Sequence, residues 1–450
     1  MNEVVDSVSS AKSADIAIKN AYILPMGGLA PIDGGAVLIK GNSILAVVES
    51  SEKWQAARVI DAKGGVVMPG FVNCHTHIAS NILLRGLNED AKLFEWLQYM
   101  WQLKVNFDPE IQYWASMAGL IEMLRAGTTC FNEHFDAYSV EPQIRALGEL
   151  PMRATLGYGF ADRGLYSPIT DYSWQTLDQF ADKVEKHHET QDGRLQLALS
   201  PHATYSCGEE MWRLCRKVAN ALKISIHTHL AEGVQELKYV GENYGTTPTQ
   251  WFASMGILGP DVTLAHCTKL NSEDIRLLAD TGSQVAHCPI SNAKLCSGTM
   301  PIKEMLAAGI NIGLATDGPA SHNTLDMFQE MKFAAIIHKN NNTDPEILPL
   351  RQMLEMATTK AAEVMHRPDT GRLVAGMKAD IIVVDIDRPH TAPVYDPEAA
   401  LVYSSRADDV RFSIVDGQIL MDDREIVGVD ETEVFTQLKK RAMALKQRSL

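Results

Sequence analysis

The sequence predicts an α/β chain: a (β/α)8 barrel of the TIM type with a small β-sandwich domain assembled from both termini. Three observations predict it. A short apolar run, polar residues and a helix-patterned stretch recur as a unit from Val66 to about Ile336; this alternation builds parallel βα units, and eight of them close a barrel. Half of the chain's 14 histidines fall at the ends of the apolar runs, where a barrel gathers its chemistry. The flanks instead show strand-like alternation with tight turns at Lys40-Gly41-Asn42 and Asp416-Gly417, the pattern of hairpins.

In order, residues 1–65 open the sandwich, with strand patterning over 15–61. The barrel occupies 66–365, with strands expected at Val66–Val72, Thr128–Asn132, Arg153–Tyr158, Leu195–Ser200, Ile224–Thr228, Val262–Ala265, Gln284–His287 and Ile312–Thr316. One helix is legible end to end: Asp108 is its N-cap, Pro109 its first residue, Ile111, Trp114, Met117, Ile121 and Leu124 its apolar stripe, and Gly127 its stop. Residues 366–450 return to the sandwich through 379–428 and end in a helical tail, Glu431–Leu450.

Composition narrows the partners. A net charge of -15 with no basic cluster excludes a nucleic-acid backbone, no run is long enough to span a bilayer, and Met1–Ser13 lacks the apolar core of a signal peptide. A cytoplasmic protein acting on a small molecule is expected. Seven cysteines without a CxxC pair suit reduced, packed thiols.

The residues after the strands carry the chemistry. Strand one ends in His75 and His77, two in Asn132, Glu133 and His134, four in His202, five in His229 and Glu232, six in His266, seven in His287 and Asn292, and eight in Asp317. A His-x-His on a strand turns both imidazoles to one side. With His229 and Asp317 they make a ligand set for one divalent cation, Zn²⁺ first and Fe²⁺ or Mn²⁺ as alternatives, with a position left for water. Strand four, Leu199-Ser200-Pro201-His202, offers no bridging carboxylate, so the site is expected to be mononuclear. Glu232 is the expected proton carrier. His266 orients the attacking hydroxide, and Asp317 doubles as ligand and base. His227 is expected to pack in the core, and His187 and His188 to be solvated.

These residues resemble the amidohydrolase superfamily, in particular its cyclic-amidine aminohydrolases, which include methylthioadenosine/S-adenosylhomocysteine deaminases and s-triazine hydrolases. The resemblance is carried by Pro69–His77, Leu84-Arg85-Gly86, His229–Glu232, Leu264–Cys267, Ser291-Asn292 and Thr316-Asp317-Gly318. A stretch similar to the family's return strand, Gly371–Asp380, extends it over nearly the whole chain. It implies the metal and proton-transfer roles above, substrate contacts from Trp96, His202 and Ser321, and a homo-oligomer, dimer or tetramer. Two positions depart from the family's nucleoside deaminases: Lys104 stands where they carry a ribose-binding glutamate, and the arginine they place after strand three is missing from Leu156–Phe160, with Arg163 as a candidate substitute. An ammonium has donors only, so both are carried as candidate substrate contacts.

The expected activity is that of a metal-dependent aminohydrolase, a deaminase acting on the amidine carbon of an aminated nitrogen heterocycle by attack of a metal-bound hydroxide. The reference ring is purine-like, of the S-adenosylhomocysteine, methylthioadenosine or adenosine type. The rival within the class is a triazine or pterin hydrolase releasing amine or halide, and the rival of another class a cyclic amide hydrolase.

Overall fold

The structure, a computed structural model, describes residues 12–135 and 140–448; of the N-terminal stretch Met1–Ser13 only Lys12 and Ser13 lie among them. Eight parallel strands run in sequence order round one sheet: Phe71–Thr76, Thr128–His134, Arg153–Phe160, Leu195–Pro201, Ile226–Leu230, Val262–His266, Gln284–His287 and Ile312–Leu314. Every residue of the first three is buried, as expected of parallel strands covered on both faces.

The seam between the eighth and first strands is closed largely by an amide side chain. Asn73 Nδ2 donates to Thr316 Oγ1 (2.7 Å), Asn73 Oδ1 accepts from the Thr316 N–H (3.1 Å), and the Asp317 N–H donates to the His75 carbonyl (3.0 Å). Barrel closure and the placing of His75 against Asp317 are therefore one set of hydrogen bonds.

The helix expected after Asp108 is present over Pro109–Arg125, with the Asp108 carboxylate accepting from the Ile111 N–H at 2.8 Å. Gly127, at φ +82°, turns the chain into the second barrel strand.

Strands from both flanks form one continuous nine-stranded mixed sheet with its own core, including Ile18, Ile39, Val67, Ile381 and Phe412. The run Val66–Val72 is divided between the two sheets. Val66–Pro69 pairs antiparallel with Ile381–Val384 and parallel with Tyr22–Ile23 in the terminal sheet, and the first barrel strand begins only at Phe71. Both halves are buried, so periodicity could not divide them. The division falls at Gly70, where a Cβ would sit 2.1 Å from Thr129 Oγ1; only glycine allows that approach.

Arg153, 0% exposed at its side chain, fastens the third barrel strand to the terminal sheet by a two-pronged bond to Asp380 (2.7 and 3.0 Å) and a bond to Asp416 (3.0 Å). The tail helix Glu431–Arg448 docks through Glu431, which accepts from Arg125 at 2.6 and 2.9 Å. His188 is half-buried rather than solvated, its Nδ1 accepting from the Leu197 N–H at 3.0 Å. His187, at the end of the helix Phe180–His187, is half-buried as well. Among the described residues no helix is long and apolar enough to cross a membrane.

Candidate metal centre and active site

His75 and His77 project from the end of the first barrel strand with their Nε2 atoms 3.1 Å apart. His77 Nε2 is 3.3 Å from His229 Nε2, and Asp317 Oδ1 is 3.3 and 3.4 Å from the Nε2 atoms of His75 and His77. A tetrahedron of ligands about 2.0–2.1 Å from a zinc ion has edges of roughly 3.3–3.4 Å, so the separations among His75, His77 and Asp317, and that from His77 to His229, are those of donors around a small divalent cation; His75, His77 and Asp317 form one metal-type group, and His229 belongs to two that overlap it, with His77 and His134 and with His75 and His266.

Their protonation fits it too. His229 Nδ1 donates to the His202 carbonyl at 2.7 Å, which leaves Nε2 as the lone pair. His75 Nδ1 is engaged at 2.8 Å by His227 Nε2, so its Nε2 also faces the cluster. Burial lowers the pKa of His75 to about 4 and that of His229 well below the ordinary value, so both are neutral at pH 7, the form in which an imidazole can ligate a metal. Burial works against ionisation of Asp317, but its close contact with the His75 and His77 rings outweighs it and holds the carboxyl well below the usual range. Its second oxygen, Oδ2, accepts from Ser291 Oγ (2.6 Å) and Ser321 Oγ (2.8 Å).

The loop corners that present these groups are strained. Ala231, His266, Cys267 and Asp317 have φ of +50°, +75°, +51° and +61°, a region that costs a non-glycine residue roughly 1 kcal/mol or more. Beyond Ala231, Glu232 reaches the base of the cleft, its pKa raised by burial. Its Oε2 lies 3.9 Å from His266 Nε2, and Ser297 Oγ donates to Oε1 at 3.4 Å. His266 Nδ1 bonds Asn292 Oδ1 at 2.8 Å. An amide oxygen only accepts, so Nδ1 carries the proton and Nε2 is turned toward Glu232.

The cleft is lined by the apolar Leu93, Trp96, Leu97 and Leu295 and by the polar Lys104, His202 and Tyr205 as well as by the cluster itself. Three of the five candidate substrate contacts, Trp96, His202 and Lys104, are thus brought to the site. Ser321 is not: it is fully buried, and its hydroxyl is spent on Asp317. Arg163 is not either, since its guanidinium bonds Asp162 (3.2 Å), Tyr244 (3.3 Å) and Tyr239 (3.5 Å) away from the cleft lining. In both cases position in the chain set the strand end but not the depth or direction of the side chain.

Three residues at the site had been given no part in it. Glu133 accepts from the N–H groups of Ile78 (2.9 Å) and Ala79 (3.0 Å), pinning the turn that leaves His77. His227 is packed, as expected, but also orients His75. His134 is buried with its ring centroid 4.5 Å from His229 and 5.2 Å from His77, and these three bring ligand-type atoms within 4.8 Å of one another. The polar string Asn132-Glu133-His134 was the available signal.

The amidohydrolase family pattern matches residues 66–420. A 5'-deoxyadenosine deaminase of Methanosarcina mazei is 39% identical over 97% of this chain and 99% of its own. A 5-methylthioadenosine/S-adenosylhomocysteine deaminase of Pelotomaculum thermopropionicum is 38% identical over 97% and 100%. Among solved structures, an adenosine deaminase from Xanthomonas campestris with bound zinc superposes with a TM-score of 0.90 at 27% identity, covering 97% of this chain and 100% of that one. An atrazine chlorohydrolase from Arthrobacter aurescens complexed with zinc shares the fold, with a TM-score of 0.88 at 24% identity over 95% and 100%. With the family pattern spanning both the barrel and much of the return segment, and with relatives matched nearly end to end, this chain belongs to the amidohydrolase family.

Proposed function

We propose that the protein is a metal-dependent aminohydrolase that replaces the exocyclic amino group of an aminated, purine-like ring with oxygen, on substrates of the adenosine, methylthioadenosine or S-adenosylhomocysteine type. The observation that carries the reading is the pairing of Glu232 and His266 across the cleft base, beside a four-donor cluster sized for one cation. Relatives named as deaminases of such nucleosides support the substrate class.

His75, His77, His229 and Asp317 would hold the cation, Zn²⁺ by donor set and by the zinc in the similar structures, with Fe²⁺ or Mn²⁺ as alternatives. Bound there, it supplies a water acidic enough to be deprotonated near neutral pH. Glu232, its proton affinity raised by burial, takes a proton from the attacking water and delivers it to the ring nitrogen next to the amidine carbon. His266, which lines the cleft beside Glu232, would stabilise charge on the oxygen that adds to the ring carbon. Asp317, ionised and braced by two serines, takes the remaining water proton and passes it to the departing amine. The balance is one water consumed, a ring carbonyl formed and ammonia released.

One observation favours a second reading. Lys104, a donor-only group, stands on the cleft wall while Arg163 lies outside it, an arrangement that suits a ring bearing acceptors, such as a triazine or pterin, better than a sugar diol. Ammonia, amine and halide release from a panel of adenine nucleosides, pterins and triazines separates the two. Release from nucleosides at the highest kcat/KM supports the first reading, and silence on every aminated ring overturns the deaminase assignment.

A further inference from the structure

Glu236 has no part in the chemistry above, yet it is 1% exposed and sits in the first turn of the helix Val234–Tyr244. Its Oε2 accepts from the backbone N–H of Glu232 at 3.0 Å, and its Oε1 accepts from the Thr204 hydroxyl at 2.7 Å. Thr204 belongs to the loop after the fourth barrel strand, between His202 and Tyr205, both on the cleft wall. One carboxylate therefore spans from the segment that carries the proton carrier to the segment that walls the substrate cleft.

The position is costly for a residue of packing alone. No basic side chain forms an ion pair with Glu236 among the described residues, and burial pushes its carboxyl up to about 7. A buried carboxyl is retained where its hydrogen bonds are needed. The need is local: Ala231 turns the corner at φ +50°, and beyond it Glu232 is held at its N–H by Glu236 and at its carbonyl by the Thr268 hydroxyl (2.6 Å).

We infer that Glu236 is a positioning residue for the proposed reaction: by tying the Glu232 backbone to Thr204 it fixes the distance between the Glu232 carboxyl and the wall bearing His202 and Tyr205. This rests on the aminohydrolase reading of the site. A displacement of about 1 Å at such a group costs on the order of 100-fold in rate. The role is geometric, so a glutamine fulfils it, its carbonyl accepting from the Glu232 N–H and its amide donating to the Thr204 oxygen.

The test measures kcat, KM and metal content for Glu236→Ala, Glu236→Gln and Thr204→Val on the best substrate of the panel. Amide hydrogen exchange over residues 230–236 is followed in each variant. The expected result is a fall in kcat of about 30–100-fold for alanine, with KM and metal content unchanged, rescue by glutamine to within a few fold, a smaller fall for Thr204→Val, and faster exchange at Glu232 in the alanine variant alone. Full kcat in Glu236→Ala, a loss that tracks metal content, or failure of glutamine to rescue overturns the inference. Should the wild type be silent on the whole panel, the reading of the reaction fails by itself, while the exchange data still decide whether Glu236 holds Glu232; an unfolded alanine variant leaves that decision to the glutamine and valine variants.

Discussion

His227 Nε2 lies 2.8 Å from His75 Nδ1, beneath the metal-type cluster and 1% exposed. A ligating imidazole needs its other nitrogen held, because that bond fixes both ring orientation and which nitrogen keeps its lone pair. His227→Phe preserves the packing and removes the acceptor. It should weaken metal binding about 10- to 100-fold, read by competition with a chromophoric chelator; unchanged affinity would return His227 to a purely packed role.

Glu232→Gln keeps the shape of the side chain and removes its proton chemistry. Folding and metal content should stay near wild type, while ammonia release falls about 10²- to 10⁴-fold. Substantial residual turnover would take Glu232 out of the mechanism.

The barrel was legible because each strand is a short apolar run with polar residues at one end, and because His75-x-His77 and Asp317 bracket it in order. The helix after Asp108 was legible through its cap and stop. The sequence could not show where the first strand changes sheets, since Val66–Pro69 and Phe71–Thr76 are both buried and the break rests on Gly70 meeting Thr129. Nor could it show depth. The family resemblance implies a substrate contact from Ser321, yet it lies behind the Asp317 carboxylate, and Arg163 sits after a strand end but turns to Tyr239 and Tyr244. His227 and His229 share a face, and only the fold shows that one stands behind His75 while the other joins the cluster.

Lone pairs of His75, His77 and His229 and the Asp317 carboxylate converge at the barrel mouth, so a cation bound among them would stabilise the fold there as well as serve the proposed reaction. Chelator treatment should abolish activity and lower the thermal midpoint. Restoration should follow titration with Zn²⁺ to about one equivalent per chain. A ligand at 1,000 times its Kd adds about 4 kcal/mol to the native state. An unchanged midpoint after proven metal removal would place the ion outside this cluster.

His287 and His338 face each other with their Nε2 atoms 2.8 Å apart, buried behind the seventh strand. Burial lowers the pKa of His338 to about 4 and that of His287 well below its ordinary 6.5. The folded protein thus declines a proton that the unfolded chain accepts below about 6.5. Stability is full above that pH and falls as pH drops toward 4, by about 1.4 kcal/mol per pH unit for each such histidine. Urea denaturation of the metal-free protein at pH 7, 6 and 5 should show a shallower decline for His338→Gln than for wild type. Parallel declines would exclude His338 as a source of acid sensitivity.

Arg153 and Asp380 join the barrel to the terminal sheet with both side chains withdrawn from water, at 0% and 2% exposure. The Asp380 carboxylate also accepts from the Asp416 N–H at 2.8 Å, so its loss orphans a backbone donor together with part of the guanidinium. Arg153 keeps its bond to Asp416 (3.0 Å), so the loss approaches but does not exceed the roughly 3–5 kcal/mol of a buried charge left wholly unpaired. Asp380→Ala should therefore lower the denaturation midpoint sharply, whereas Glu273→Ala, which breaks an exposed helix pair with Arg276, should leave it in place. Because the pair lies at the start of the third strand, away from the cleft, any Asp380→Ala protein that remains folded should keep its kcat. A midpoint equal to that of Glu273→Ala would mean that the Asp380 carboxylate contributes nothing to holding the two sheets together.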